Sequence, residues 1–164
     1  MKNLLLCILF FVCALSGFSQ VIAWDFNKDG SYHGWTDFEN RIQLKGKHEV
    51  RNGALAYTIQ ATINPQWRID AGKFPVRLDN TKSYTFEIKI RRTAGIARAR
   101  TKFFVNLLEL GVVNLENHNE WQTITFDYIA KSIPGRITSL RFDPAGGQNG
   151  SWEIDAITVT EISK

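Results

Sequence analysis

The chain contains few of the residues that cross-link small exported domains or perform covalent chemistry. Only two of its 164 residues are cysteine, four are proline and one is methionine. Both cysteines, Cys7 and Cys13, lie among the first nineteen residues, so residues 20–164 contain no thiol. This absence excludes disulfides, cysteine-based metal sites and thiol nucleophiles from residues 20–164.

Long apolar runs are also absent after residue 19. Residues 1–19 have a basic residue near the start, Lys2, continue with the apolar run Leu4–Leu15 and end in small residues. This order is typical of a secretory signal peptide, and the run is shorter than the roughly 20 apolar residues that a membrane span requires. We therefore predict a signal peptide over 1–19, cleaved near Ser19/Gln20, and one domain over 20–164. The predicted location is secreted or periplasmic.

The net charge of +4, from 20 basic and 16 acidic residues, is too small to indicate a polyanionic partner by itself. The distribution of charge is more informative, because the segment Lys89–Lys102 contains six basic residues and no acid. If two strands pair through a turn at Thr93–Ala97, these residues form a cationic face on one hairpin. The positions that would share this face are Lys89 and Arg91 on the first strand and Arg98, Arg100 and Lys102 on the second.

Such a face is either an ordinary solvated sheet surface or a site for an anionic polymer. The segment lacks the interleaved aromatic residues typical of single-stranded nucleic-acid binding, so no nucleic-acid partner is expected. An anionic polysaccharide is the partner that the charge pattern favours for an exported protein.

Helical periodicity is absent from residues 20–164, and short alternating apolar and polar runs recur instead. The clearest run, 83–92, places Tyr84, Phe86 and Ile88 on one side of a strand. The dipeptide Asn52-Gly53 predicts a tight hairpin turn. The segment 103–110 fits a strand or a helical turn, and its aromatic and β-branched residues favour the strand. We predict strands near 21–26, 47–51, 54–61, 66–70, 83–92, 98–108, 111–115, 121–129, 136–143 and 151–161. The predicted fold is all-β, a sandwich of two antiparallel sheets.

Several segments follow one another in a characteristic order: Trp24–Trp35, Asn64–Trp67, Ser83–Arg92, Ile137–Gly147 and Gly150–Val159. This order resembles galactose-binding-like β-jelly-roll domains, and in particular the carbohydrate-binding modules of secreted bacterial polysaccharide-degrading enzymes. The resemblance implies a jelly-roll fold, a polysaccharide or oligosaccharide ligand and a structural calcium ion.

The segment Asp25–Gly30, with the sequence DFNKDG, fits the first half of a calcium-loop pattern in which alternate oxygen ligands converge. The twelfth position of a complete loop of this kind would be Thr36, which is not a carboxylate, so a helix–loop–helix calcium site is excluded. The alternative is a turn closed by side-chain hydrogen bonds. In the jelly-roll resemblance, calcium bridges this loop to the last strand. The implied Ca²⁺ ligands are Asp25, Asn27, Asp29 and Asp155.

Tryptophan is abundant, and sugar rings stack their C–H faces on aromatic side chains. We expect Trp121 and Trp152 in the core and Trp35 in the core or at its rim. Trp67 follows a loop and precedes Arg68, so we expect it to be exposed and to stack on a sugar. The predicted ligand-binding residues are Trp67, Arg68 and Asn64, with Tyr32 and His33 at a loop tip, and Arg91, Arg98 and Arg100 adding positive charge.

Catalysis is the main alternative. Glu153-Ile154-Asp155 resembles the catalytic strand of laminarinase-type glycoside hydrolases, but Thr158 occupies the position of the third carboxylate. We therefore predict a secreted, non-catalytic carbohydrate-binding protein for a bacterial, plant or algal polysaccharide. The alternatives are a small polysaccharide lyase or glycoside hydrolase, and a structural or adhesion protein of the cell envelope.

Overall fold

Alternating side chains form eleven strands and no α-helix in the part of the chain that a computed structural model describes: residues 19–37, 46–59, 67–70, 73–95, 99–115, 118–130, 136–145 and 150–163. The strands are β1 (Ser19–Asp25), β2 (Thr36–Asp37), β3 (Gly46–Arg51), β4 (Ala54–Ile59), β5 (Trp67–Asp70), β6 (Tyr84–Gly95), β7 (Ala99–Val105), β8 (Leu108–Leu115), β9 (Gln122–Tyr128), β10 (Ser139–Ala145) and β11 (Gly150–Glu161). Within these ranges no helix is long and apolar enough to cross a membrane.

The strands form two sheets. The six-stranded sheet has the order β3-β4-β11-β6-β9, and β1 also pairs with the second half of β11. The five-stranded sheet has the order β2-β5-β10-β7-β8. The pairings between these strands are antiparallel. The all-β, two-sheet sandwich predicted from the sequence is confirmed.

Apolar side chains on the facing sides of the two sheets form the core. On β6 the residues Tyr84, Phe86, Ile88 and Ile90 are all buried, as the alternation of this strand predicts. The five-stranded sheet contributes Ile69, Phe103, Val105, Leu140 and Phe142 from the other side. Burial of each such side chain contributes about 1.5–3 kcal/mol to folding.

Two of the three tryptophans expected inside are buried, namely Trp35 and Trp152. The prediction of a core Trp121 is wrong, because this side chain is only half-buried. The reason is the parity of β9. Gln122 is the Cα partner of the buried Ile90, so the preceding residue lies on the opposite, outer side of the sheet.

The turn between β3 and β4 confirms the predicted hairpin at Asn52-Gly53. Asn52 has φ 51° and Gly53 has φ 73°, the two positive angles that a tight hairpin turn of this kind requires. The predicted continuous strand 98–108 is wrong. β7 ends at Val105, a turn follows at Asn106, and β8 begins at Leu108. Asn106 adopts φ 55°, which an apolar-rich sequence pattern does not reveal.

The predicted cationic hairpin is also wrong. β6 pairs with β11 and β9 in one sheet, whereas β7 pairs with β10 and β8 in the other. Each strand turns its apolar side toward the shared core, so the outer sides of β6 and β7 lie on opposite surfaces of the sandwich. Arg92, within the same basic segment, is buried opposite Trp152 on the inner side. The basic residues therefore do not share one face.

Candidate functional site

The centre of the outer face of the five-stranded sheet is occupied by Arg141. β10 is the middle strand of this sheet, and its Phe142 is buried in the core. Arg141 therefore lies on the outer side, where it is half-buried. Its Cα partners are Arg68 on β5 and Phe104 on β7. These residues form a row that crosses the sheet.

Phe104 and Arg141 are in direct contact. The guanidinium carbon of Arg141 lies 4.1 Å from the centre of the Phe104 ring, a cation–π distance. Phe104 alternates with the buried Phe103 and Val105, which explains why this aromatic residue lies on the outer side. An aromatic ring beside a fixed guanidinium can stack on the C–H face of a sugar and donate hydrogen bonds to its hydroxyl or carboxylate oxygens.

Charged residues flank this pair. Lys102, two residues before Phe104 on the same strand, places its Nζ 2.8 Å from Oε2 of Glu109 on β8. On the neighbouring strand β10, the Cα partner of Lys102 is Asp143. The outer face therefore combines an aromatic ring with charges of both signs, which is a surface suited to a polar ligand and not to an apolar one.

The outer face of the six-stranded sheet has a different arrangement, in which the described cations Lys89 and Arg91 are each paired with an acid. Arg91 Nε lies 2.6 Å from Oε2 of Glu153, and Lys89 Nζ lies 2.6 Å from Oδ2 of Asp155. Both cations also approach the ring of Trp121, at 4.4 Å for Arg91 and 5.6 Å for Lys89. The two carboxylates considered for hydrolysis are thus each held by a cation.

The cavity between the two sheets is too small to hold a sugar. Its volume is about 20 Å³, enough for about one water molecule. The residues that line it include Trp35, Phe86, Phe103 and Leu140, together with Phe104 and Arg141.

The arrangement of strands is similar to that of several solved structures. The CBM1 module of BiXyn10A is 18% identical with a TM-score of 0.59, and the match covers 86% of this chain and 97% of that one. The CBM22-1 xylan-binding domain of Paenibacillus barcinonensis Xyn10C is 13% identical with a TM-score of 0.60, covering 90% of this chain and 97% of that one. This chain has the fold of a carbohydrate-binding module.

A larger structure contains the same fold beside a second module. The CBM22-1 and GH10 modules of Clostridium thermocellum Xyn10B, complexed with xylohexaose, match with 14% identity and a TM-score of 0.64. That match covers 88% of this chain and 29% of the other. No protein-family profile and no curated protein sequence matches the chain. The β-jelly-roll predicted from the order of the motifs is therefore confirmed at the level of fold.

Within this carbohydrate-binding-module fold, β5 brings one predicted ligand-binding residue to the face of Arg141. The backbone register sets Arg68 opposite Arg141, and it sets Trp67 opposite the buried Phe142. The side chains of Trp67 and Arg68 lie outside the described part of the structure, so their roles stay predictions.

Three other predicted residues are described incompletely or not at all. Asn64 and Arg98 lie outside the described residues. Arg100 belongs to β7, where its Cα partners are Ala145 and Asn114, but its side chain is likewise outside the description. These three also stay predictions.

Tyr32 and His33 occupy the loop between β1 and β2. Tyr32 is half-buried and packs against the core. His33 is exposed, has φ 47°, and makes a T-shaped contact with Phe26 at 5.9 Å between ring centres. Of this pair, the exposed His33 is the one whose position leaves it accessible to a ligand.

The candidate calcium loop follows β1. Asp25 is the Cα partner of Ala156, the residue that follows Asp155. The side chains of Asp25, Asn27 and Asp29 are all exposed. Two backbone hydrogen bonds close the loop, from Ser31 to Lys28 and from Gly30 to Val50, each 3.0 Å long. Among the described residues no group of three or more histidine, cysteine or carboxylate side chains could hold a metal ion. The loop thus supplies exposed oxygens without a carboxylate cluster, and calcium binding stays a prediction.

Sequence reasoning did not select Phe104 and Arg141. Phe104 lies in a run of apolar residues, Phe103–Val105, where alternation between inside and outside is hidden. Arg141 lies between the apolar residues Leu140 and Phe142, and this alternation was the available signal that it faces outward.

Proposed function

We propose that the protein is a secreted, non-catalytic carbohydrate-binding protein whose polysaccharide or oligosaccharide ligand lies on the outer face of the five-stranded sheet. The contact between Phe104 and Arg141 at the centre of that face carries the proposal. An aromatic ring for stacking and a guanidinium held against it for hydrogen bonding are the two elements that sugar recognition needs. The carbohydrate-binding-module fold supports the same function, and the apolar run Leu4–Leu15 supports secretion.

The two arginine positions at the centre of this face favour a glycan that carries carboxylates, such as a uronate polymer. Arg68 and Arg141 are direct partners across β5 and β10. Arginine also binds carboxylates through two parallel hydrogen bonds. The proposed ligand is therefore an acidic polysaccharide from a bacterial, plant or algal source.

Affinity electrophoresis of the full chain tests this function. Gels would contain a neutral polysaccharide (xylan) or an acidic one (polygalacturonate or alginate), and retardation would measure affinity. We expect retardation by an acidic polysaccharide, weakened about two- to twelvefold by Phe104→Ala, because aromatic contacts of this type contribute about 0.5–1.5 kcal/mol. Thr125→Ala is the matched control, since Thr125 is exposed on the other sheet. Unchanged retardation of Phe104→Ala would contradict the proposed site.

The same samples separate the alternative functions. A lyase would produce unsaturated sugars that absorb ultraviolet light, and a hydrolase would produce new reducing ends, whereas a binding protein leaves chain length unchanged. A structural or adhesion protein would show no retardation in any gel.

A further inference from the structure

The aromatic ring at the centre of the proposed carbohydrate site has a cation on one side and an acid on the other. Arg141 lies 4.1 Å from the centre of the Phe104 ring, measured from its guanidinium carbon. On the opposite side, the Cα partner of Phe104 is Glu109 on the edge strand β8. Arg141, Phe104 and Glu109 therefore form a row across three neighbouring strands. Since neighbouring strands are about 4.8 Å apart, the backbone positions at the two ends of the row are about 10 Å apart.

The carboxylate of Glu109 is accessible and is held by a cation. The Glu109 side chain is 40% exposed, and its Oε2 lies 2.8 Å from Nζ of Lys102, whose side chain is 34% exposed. Lys102 precedes Phe104 by two residues on β7, so the two residues belong to the same side of the sheet. The charges of Lys102 and Glu109 offset each other. The β8 end of the row is therefore an ion pair without net charge that still offers hydrogen-bond donors and acceptors to a ligand.

The two ends of the row suit different sugars. At the β10 end, the Cα partner of Arg141 is Arg68, and arginine binds a carboxylate through two parallel hydrogen bonds. At the β8 end, the carboxylate of Glu109 can accept hydrogen bonds from sugar hydroxyl groups, and Lys102 can donate to them. A sugar carboxylate at the β8 end would instead be repelled by Glu109.

The strand register places two more acidic residues next to the arginine positions. Asp143 follows Arg141 by two residues on β10, and Asp70 follows Arg68 by two residues on β5. Because alternate residues of a strand share one side of a sheet, positions 70 and 143 belong to the outer side as well. Acidic residues therefore border the arginine positions along β5 and β10, as Glu109 does across the sheet.

We propose that the ligand is a heteropolysaccharide in which neutral sugars separate the acidic ones, with an acidic sugar at Arg141 and a neutral sugar at Glu109. This inference deepens the proposed function and rests on it, because it takes the outer face of the five-stranded sheet as the binding site. Glu109 is the specificity-determining residue, since it accepts hydrogen bonds from hydroxyl groups and repels a carboxylate. A polymer with a carboxylate on each sugar binds the same face more weakly.

The test compares three forms of one polymer by affinity electrophoresis of the full chain. The polymer is the acidic polysaccharide that retards the protein, polygalacturonate or alginate. It is used intact, with about half of its carboxyl groups reduced to primary alcohols, and fully reduced. Reduction removes charge and leaves the linkages and the ring stereochemistry unchanged. We expect the half-reduced polymer to bind the wild-type protein at least as tightly as the intact polymer, and the fully reduced polymer to bind most weakly.

Glu109→Gln provides the decisive comparison. Glutamine keeps a hydrogen-bonding side chain and removes the negative charge. Affinity for the intact polymer should therefore rise about 1.4- to 5-fold, the effect of one exposed charge pair, and affinity for the half-reduced polymer should change less. Glu87→Gln is the matched control, because Glu87 is an exposed acid on β6 in the other sheet and its variant has the same net charge.

Three results would overturn this inference and leave the proposed function standing. The first is a wild-type protein that binds the intact polymer more tightly than the half-reduced one. The second is an unchanged ratio of these two affinities in Glu109→Gln, and the third is an equal change in Glu87→Gln, which would assign the effect to net charge. Absence of retardation by both polygalacturonate and alginate, or retardation that Phe104→Ala leaves unchanged, would instead overturn the proposed function itself.

Discussion

Arg141 and Phe104 lie on different strands, yet the guanidinium carbon of one is 4.1 Å from the ring centre of the other. Their contact depends on the register between β10 and β7, which makes them Cα partners. A shift of one residue would turn either side chain toward the core. The candidate carbohydrate site is therefore a product of strand pairing and not of a local motif.

Arg141→Gln should weaken binding to an acidic polysaccharide about tenfold or more and affect a neutral one less. Hydrogen bonds to charged groups contribute about 1.5–3 kcal/mol, and the charge part of that energy is lost with the guanidinium. Raising the salt concentration should weaken the binding of the wild-type protein to the acidic polysaccharide, because surface charges are screened over about 8–10 Å. Titration calorimetry at low and high salt measures both effects. Arg77→Gln is the control, and equal losses on neutral and acidic polysaccharides would count against a carboxylate ligand.

Arg91→Met should destabilise the fold without changing carbohydrate affinity. The variant leaves Glu153, whose side chain is 17% exposed, without the cation that lies 2.6 Å away, and it removes the contact with Trp121. The partial exposure of both partners limits the expected loss to about 1–2 kcal/mol. Urea unfolding measures the stability, and affinity electrophoresis measures the binding. Weaker binding by a fully folded Arg91→Met protein would instead place Arg91 in the ligand site, as the sequence-based hypothesis had it.

Gly111→Ala should lower the free energy of unfolding by about 1–3 kcal/mol, which is typical of overpacking. A Cβ at this position would overlap Cε1 and Cδ1 of Phe126. Urea unfolding provides the measurement, and the double variant Gly111→Ala with Phe126→Leu should recover part of the loss. No loss in the single variant would mean that the edges of β8 and β9 can separate freely.

Removal of calcium should lower the melting temperature if the loop after β1 binds this ion as predicted. Binding at about a hundred times Kd adds about 2.7 kcal/mol, which corresponds to roughly 5–10 °C for a domain of this size. Asp25→Asn and Asp29→Asn should abolish the effect of a chelator. Asp127→Asn should not, because this exposed acid accepts a hydrogen bond from Thr85 at 2.8 Å on β6. Melting curves that coincide with and without chelator would exclude a structural calcium ion.

Asp79 should make the fold sensitive to acid. Hydrogen bonds from the backbone and side chain of Thr81 lower the pKa of Asp79 below its ordinary value, with smaller contributions from Lys82 and Arg136. A carboxyl whose folded-state pKa is lowered stabilises the fold above its unfolded pKa, and this stability is lost as the pH falls through the folded pKa. The melting temperature should therefore fall below about pH 4. Asp79→Asn should reduce this decrease, and an identical pH profile for both proteins would contradict the assignment.

Local patterns predicted the elements whose environment is decided within a few residues. The inner side of β6 and the turn at Asn52-Gly53 are of this kind, because strand alternation and positive φ angles depend on a few neighbouring residues. The turn at Asn106 was missed because it interrupts an apolar run, and the hydrogen bonds that support it come from Thr138 and Ser139, more than thirty residues away.

The absence of cysteine after residue 19 excluded disulfides, while the short alternating runs and the order of the jelly-roll segments were together sufficient for an all-β sandwich. Alternation, however, indicates which side of a strand is apolar. It does not indicate which sheet the strand joins. Only the tertiary structure separated β6 from β7 and brought Arg141 to Phe104. Sheet membership and register depend on pairing between distant segments, whose free energy no local pattern records.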